Sequence, residues 1–274
     1  MSERLTFPPA LFDVLSSFVE ERTGIHYDGT DRELLLAKIA TRTLEAGFES
    51  PLDYYYFLRY DDPTRKEFDA LVESLVVNET YFFREAPQLR ALCENVILPA
   101  VSAGARPRIW CAAAATGEEP LTLAMILAEH GALGSVELVA TDISARALAR
   151  AREGTYGSRS FRSHAATDAT RRWFESNGEQ AIVRADLRAA IEWKRVNLID
   201  ESAIAGLGKF DIIVCRNVLI YFNDDTVRRV ATSLAKSLRD NGHLLVGASE
   251  SLLRFGTMLT CVERDGAFFY RKAA

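Results

Sequence analysis

From Pro8 to about Arg90 the apolar residues recur at helical spacing: Leu11, Val14, Leu15, Phe18 and Val19 form one stripe, and Leu34, Leu35, Ile39 and Leu44 another. Gly24, Gly29, Gly47, Pro51 and the Asp61-Asp62-Pro63 run divide this region into four or five helices, with no strand-like alternation between them. After Pro107 the pattern changes. Apolar runs of strand length (108–114, 136–141, 211–215 and 243–248) alternate with helical stretches over 120–130, 145–153 and 225–239. That alternation predicts an α/β domain with a mostly parallel sheet and helices on both faces. Residues 268–271 suit a final strand, antiparallel and at or near an edge.

The change of pattern predicts a helical N-terminal domain over 1–85 and an α/β domain over 86–274. One stretch, from Tyr156 to about Val196, breaks the rhythm. It combines a polar helix over 168–176 with short strand-like pieces near Ile182-Val183 and over 191–196, and reads as an insertion within the α/β domain.

A chain of 274 residues can bury a sizeable core in one large or two modest domains, and its 48% hydrophobic and 26% charged content is ordinary for a soluble protein. The net charge of −5 argues against a chain built to grip nucleic acid, because phosphate contacts dominate such affinities. Cys93, Cys111, Cys215 and Cys261 stand at no metal-ligand spacing, so neither a zinc site nor a disulfide framework is expected, and a reducing compartment is. The N-terminus has no basic region leading into an apolar block, and no run approaches the ~18 apolar residues of a membrane span. A cytoplasmic protein without membrane insertion is therefore expected.

Two segments carry candidate chemistry. Arg108 to Ala114 reads as a buried strand, and it runs through Ala115-Thr116-Gly117 into a helix whose first turn holds Glu118, Glu119 and Pro120. Small residues there let the backbone approach a ligand at the carboxyl end of a strand, although a tight turn with no ligand would look the same. A dinucleotide fingerprint would supply more glycines, and paired carboxylates would repel a pyrophosphate. They are compatible with a phosphate-free, positively charged nucleoside cofactor such as S-adenosylmethionine. The next strand ends at Ala140-Thr141-Asp142, where a carboxylate can accept both ribose hydroxyls; alternatively Asp142 is a helix N-cap, a role open to Ser144 as well. The second segment, Asn78-Glu79-Thr80-Tyr81-Phe82-Phe83-Arg84-Glu85, mixes polar and aromatic residues in a way no plain amphipathic helix requires.

With these segments, Cys215-Arg216-Asn217-Val218-Leu219-Ile220-Tyr221-Phe222 and Gly247-Ala248-Ser249-Glu250 complete an ordered set of motifs, and the chain resembles the chemotaxis receptor methyltransferases of the CheR type over nearly its whole length. The resemblance implies an all-helical N-terminal domain followed by a Rossmann-like class I S-adenosylmethionine-dependent methyltransferase domain, with a small antiparallel β-subdomain inserted over about 156–196. It implies methylation of glutamate side chains on chemoreceptor cytoplasmic helices, with S-adenosylhomocysteine as the second product. By position it implies cofactor contacts from Asn78, Thr80, Arg84, Glu119, Asp142, Asn197, Leu198, Arg216 and Asn217, and places Arg84 and Tyr221 near the substrate carboxylate. In some members the inserted segment docks a receptor's C-terminal peptide; here the loop 175–182 is short for that role. Leu121-Thr122 replace the usual aromatic-Ser pair after the proline. The partners expected are a methyl-accepting chemoreceptor cytoplasmic domain and neighbouring signalling proteins of a receptor array.

The residues fit the chemistry. A glutamate is already ionised at pH 7, so its oxygen needs alignment and exclusion of water more than a general base. Arg84 offers a planar fork for a carboxylate, or is a surface arginine paired with Glu85 or Asp69. Tyr221 either offers its hydroxyl at the sheet's carboxyl edge or is core. The histidines His26, His130, His164 and His243 are assigned no catalytic part, and Tyr54-Tyr55-Tyr56-Phe57 reads as core with one exposed ring. Arg32, Lys38 and Arg42 are a basic set that could dock an acidic partner or simply be solvated. An oxidoreductase is disfavoured by the missing glycines. A nucleic-acid methyltransferase is disfavoured by the lack of an Asn/Asp-Pro-Pro-aromatic turn. A non-catalytic scaffold on the same fold stays open.

Overall fold

The structure is a computed structural model that describes residues 7–162 and 172–274. His164 and residues 168–171 of the helix expected over 168–176 lie outside the described residues. The chain divides into two compact units, one of residues 1–77 together with Tyr221–Asn223, the other of Asn78–Ile220 and Asp224–Ala274.

The first unit holds helices α1 (Pro9–Thr23), α2 (Arg32–Glu45), α3 (Pro51–Tyr56) and α4 (Lys66–Leu75). Helix α1 stops where Gly24 enters the left-handed region at φ 79° and its N–H returns to the Glu20 carbonyl. Its buried stripe is Leu11, Leu15, Phe18 and Val19, with Phe18 edge-on to Tyr55 and Phe68. On α2 the buried face is Leu35, Ile39 and Thr43, whereas Leu34 and Leu44 are 52% and 48% exposed. Strict i, i+4, i+8 geometry decides this, and it places a threonine inside at the expense of two leucines. Of the aromatic run, Tyr54 is buried and Tyr56 is the exposed ring.

The second unit begins at Asn78, so the Asn78–Glu85 segment does not close the helical unit as the boundary at 85 assumed. Phe82 and Phe83 explain this: both are buried in the α/β core, and Phe82 packs on the rings of Tyr156, Phe161 and Phe174. Helices α5 (Ala86–Leu92), α6 (Leu98–Ser102), α7 (Glu118–Glu129), α8 (Ala145–Glu153), α9 (Ala185–Ala189), α10 (Glu201–Gly206) and α11 (Asp224–Ser237) follow. The strands are β1 (Arg108–Ala112), β2 (Glu137–Asp142), β3 (Thr155–Tyr156), β4 (Phe174–Asn177), β5 (Gln180–Val183), β6 (Ile191–Arg195), β7 (Phe210–Cys215), β8 (Leu238–Val246), β9 (Leu259–Arg264) and β10 (Ala267–Lys272).

Seven strands form the main sheet in the order β6-β2-β1-β7-β8-β10-β9; β10 runs antiparallel to both its neighbours, and the other pairings are parallel. At its centre Trp110 is fully buried, and its indole N–H donates to the Thr141 hydroxyl at 2.9 Å. A separate antiparallel sheet of order β3-β5-β4 forms the inserted subdomain.

Several expectations are corrected. The strand over 191–196 is β6 of the main sheet, paired with β2, so the inserted sheet ends at Val183. Residues 174–177 are strand, and what reads as a loop over 175–182 is the β4–β5 hairpin itself. Strand β8 starts at Leu238, so His243 lies within it. The final strand is as expected, β10 being antiparallel and next to the edge, which β9 occupies.

Candidate active site

Strand β1 delivers its carboxyl end into a loop built from left-handed backbone: Ala113 at φ 57°, Ala115 at φ 47° and Gly117 at φ 96°. A Cβ on Gly117 would stand 2.7 Å from Ala151 Cβ and 2.9 Å from the Trp193 ring, so this position is restricted to glycine by space as well as by φ. The loop is held from β2. The Ala114 N–H donates to the Thr141 carbonyl at 2.9 Å, and the Ala115 N–H to Asp142 Oδ2 at 2.8 Å. Asp142 Oδ1 accepts the Ser144 N–H at 2.8 Å. Ser144 is the N-cap of α8, accepting the Ala147 N–H, so Asp142 is not that cap; it is buried and ties the ends of the first two strands together.

The two glutamates that open α7 face different surroundings. Glu118 is buried and accepts the hydroxyls of Thr116 at 2.6 Å and Ser160 at 2.8 Å; burial pushes its carboxyl above the usual range against both bonds. Glu119, with its side chain 14% exposed, meets Arg216 Nη1 at 2.6 Å. Burial pushes its carboxyl up while Arg216 pulls it down, and burial prevails. The Arg216 guanidinium is wholly buried; its other nitrogen donates to Glu85 at 2.8 Å and to the Arg84 carbonyl at 3.1 Å. Burial opposes its charge, yet Glu119 and Glu85 raise its pKa above the ordinary arginine value. Arg216 Nε is buried with no protein partner.

Arg84 donates to the Glu79 carbonyl at 2.8 Å and lies over the Tyr81 ring at 5.8 Å. Asn78 and Thr80 are half-buried on the same segment. Asn217 follows β7 in left-handed backbone at φ 58°. Beyond β6, Val196 donates its N–H to the Asp142 carbonyl at 3.0 Å, which carries Asn197 and the buried Leu198 to the carboxyl end of β2. The structure thus gathers Glu119, Asp142, Asn197, Leu198, Arg216 and Asn217 at the carboxyl ends of neighbouring strands. Arg84 joins them through its carbonyl on Arg216.

The remaining predicted residues belong to the helical unit. Tyr221 ends a 3-10 turn, Leu219–Tyr221; its carbonyl accepts the His26 N–H at 2.8 Å and the adjacent Phe222 bridges Ile25. Arg42 is held bidentately by Glu67 and also pairs with Glu45, Lys38 donates to the Leu75 carbonyl at 3.0 Å, and Arg32 lies 5.5 Å from the Phe12 ring centroid. The basic set is therefore engaged internally.

Two acidic residues were missed. Glu85 anchors Arg216 and accepts the Ala248 N–H at 3.3 Å; Arg216 holds its carboxyl below the usual range although burial opposes this. Glu250 closes the motif Gly247-Ala248-Ser249-Glu250, and that motif was its sequence signal. On the inserted sheet a groove of about 430 Å³ is lined by Tyr156, Ser158, Phe161, Phe174 and Gln180 among others.

These residues fit a nucleoside cofactor bearing positive charge. Two acidic groups, Glu85 and Glu119, flank the one guanidinium of Arg216, whose buried Nε–H is left for an acceptor that a ligand would bring, and Glu118 and Glu119 make the first turn of α7 acidic where a pyrophosphate would dock. With the sheet order and the small-residue loop they define the class, an S-adenosylmethionine-dependent methyltransferase.

Comparison with known families makes this specific. The profile described as "CheR methyltransferase, SAM binding domain" matches residues 78–268, and "CheR methyltransferase, all-alpha domain" matches residues 10–76. The chain belongs to the CheR methyltransferase family. It is 34% identical over 264 residues to chemotaxis protein methyltransferase 1 of Vibrio cholerae, spanning 93% of this chain and 94% of that protein. It is 39% identical over 209 residues to the chemotaxis protein methyltransferase of Vibrio parahaemolyticus, spanning 74% and 75%. With the chemotaxis protein methyltransferase of Escherichia coli it shares 30% identity over 256 residues, spanning 92% and 87%.

Proposed function

We propose that this methyltransferase esterifies glutamate side chains on the cytoplasmic helices of methyl-accepting chemoreceptors, in the cytoplasm, as the adaptation step of chemotaxis or a related signalling pathway. The observation that carries the reading is Arg84. Its half-buried guanidinium is braced by the Glu79 carbonyl and the Tyr81 ring, on a segment whose backbone meets Arg216. A planar fork so placed suits a carboxylate.

S-adenosylmethionine, when bound, would supply an electrophilic sulfonium methyl group for the substrate carboxylate oxygen, with sulfur keeping the electron pair of the bond given up. The protein's own residues orient and exclude water. Asp142 would receive ribose hydroxyls, Asn78, Thr80, Asn197, Leu198 and Asn217 would line the nucleoside and amino-acid portions, and Glu119 with Arg216 would set the charge around them. Arg84 and, on the resemblance alone, Tyr221 would hold the carboxylate that reacts. No side chain needs to take a proton, since the nucleophile arrives ionised. An acidic receptor face docking on Arg42 would have to displace Glu67.

The test is transfer of a labelled methyl group from S-adenosylmethionine to receptor cytoplasmic fragments, read as base-labile volatile methanol, with Arg84→Ala beside the native enzyme. Arg84-dependent release is expected. Absence of release with every fragment, while S-adenosylhomocysteine still binds, would move the substrate away from receptors.

A further inference from the structure

The loops that leave β7 and β8 are joined by one carboxylate. Glu250 Oε1 accepts the N–H groups of Val218 at 2.9 Å and Leu219 at 2.7 Å, while Oε2 accepts those of Asn217 at 2.8 Å and Gly247 at 2.7 Å. Glu250 is 8% exposed, so these bonds are little contested by water. Consecutive N–H groups converging next to a left-handed residue make an anion-binding concavity, which many folds offer to a ligand's phosphate. Here the protein fills it with its own side chain. A Cβ on Gly247 would lie 2.8 Å from both Asn217 Nδ2 and Glu250 Oε2, so the contact is close on every side.

We propose that Glu250 is a positioning residue for the cofactor site. It fixes three consecutive peptide planes after β7 and thereby holds Asn217 in the left-handed backbone from which it serves the cofactor. This rests on the reading of Asn217 and Arg216 as cofactor contacts. Glu250 touches no reacting atom; it acts through main chain. A fold-only role would predict loss of stability alone. A positioning role predicts a selective loss of cofactor affinity, because the carboxylate's partners are the residues that end at the sheet's carboxyl edge, where this class binds its nucleoside. The 131-residue separation of Glu85 from Arg216 shows the same design, an acidic side chain spanning motifs remote in sequence.

The test is calorimetric titration of the full-length protein with S-adenosylhomocysteine, together with separate KM values for S-adenosylmethionine and for a receptor fragment. Glu250→Gln keeps the shape but turns an amide NH2 toward two of the four N–H donors. It is expected to weaken S-adenosylhomocysteine binding at least tenfold and to raise KM for S-adenosylmethionine similarly, with KM for the fragment unchanged. Gly247→Ala, which crowds the same contact, should repeat the pattern. Leu234→Ala, a core change on α11 with comparable loss of Tm, should leave the affinity as it is. Should Glu250→Gln fail to fold, Gly247→Ala and Glu250→Asp decide by the same readouts. Folded Glu250 variants with native affinity would overturn the proposal while leaving the cofactor site intact. A native protein that does not bind S-adenosylhomocysteine would instead overturn the site reading beneath it.

Discussion

Arg216 and Glu119 meet at 2.6 Å although they are 97 residues apart, one leaving β7 and the other opening α7. A buried pair of this kind contributes less by its own attraction than by the damage its rupture does. Arg216→Met would leave Glu119 and Glu85 facing each other without a counter-charge, at a cost of about 3–5 kcal/mol. Arg216→Lys keeps the charge but cannot span both carboxylates. Urea unfolding should rank native above Lys above Met, and S-adenosylhomocysteine affinity should follow that order; a Met variant of native stability would contradict the geometry.

Gly117→Ala introduces one methyl group into a space closed by Ala151 and Trp193, in left-handed backbone. The expected cost is about 1–3 kcal/mol, and relief should come by shifting the loop. Cofactor affinity should therefore fall by more than stability alone explains. Equal affinity of variant and native protein, measured by calorimetry, would show that the loop does not touch the nucleoside.

The buried carboxyl of Glu118 makes a pH signature. Its folded pKa is raised above the ordinary 4.5, chiefly by burial, so below that value both states carry the proton and nothing is lost. As pH climbs past 4.5 the unfolded chain ionises first and stability declines until the folded group ionises too. Glu118→Gln removes this titration. Denaturation midpoints collected from pH 4 to pH 7 should draw apart in favour of the variant as pH rises, and parallel curves would refute the assignment.

His243 has the opposite dependence. Burial, with Arg264 and Arg271 adding, pushes it from 6.5 down to about 4, and its Nε2 has no hydrogen-bond partner. Between those values the unfolded chain takes up a proton that the folded one refuses, so stability falls as pH falls through the window, by up to about 3 kcal/mol. His243→Leu should match the native protein at pH 8 and resist acid better. A native curve as flat as the variant's would count against it.

What could be read from the chain follows the range of the interactions. Strand β1 and its loop are local: apolar residues, then small ones, then an acidic helix start, and the structure has them there. The edge strand β9 was invisible because Thr260, Glu263 and Arg264 break its apolar run, as exposure on an edge permits. Residues 191–195 were legible as a strand, but which sheet they join is settled by pairing with β2, and no periodicity encodes that. Lys38 and Arg42 looked like a surface set because their partners, Leu75 and Glu67, lie 37 and 25 residues away. Glu85 and Glu250 were missed for the same reason: each acts on loops that only the folded sheet brings near.

The inserted sheet is closed at its base, where the Val183 N–H donates to the Gly154 carbonyl at 2.9 Å and Thr155 pairs with Ile182. A segment tied off at its neck can lengthen, shorten or change its surface at little thermodynamic cost, since doubling a loop adds only about 0.6 kcal/mol of closure entropy. Side chains that reach the larger domain limit that insulation: the Tyr156 hydroxyl donates to the Thr116 carbonyl at 2.7 Å, the Ser160 hydroxyl meets Glu118 at 2.8 Å, and Phe161 and Phe174 pack on Phe82. The outward face of the module is thus free to diverge across a lineage so long as those inward contacts are kept. Changes of outer surface and constancy of chemistry can then be inherited separately.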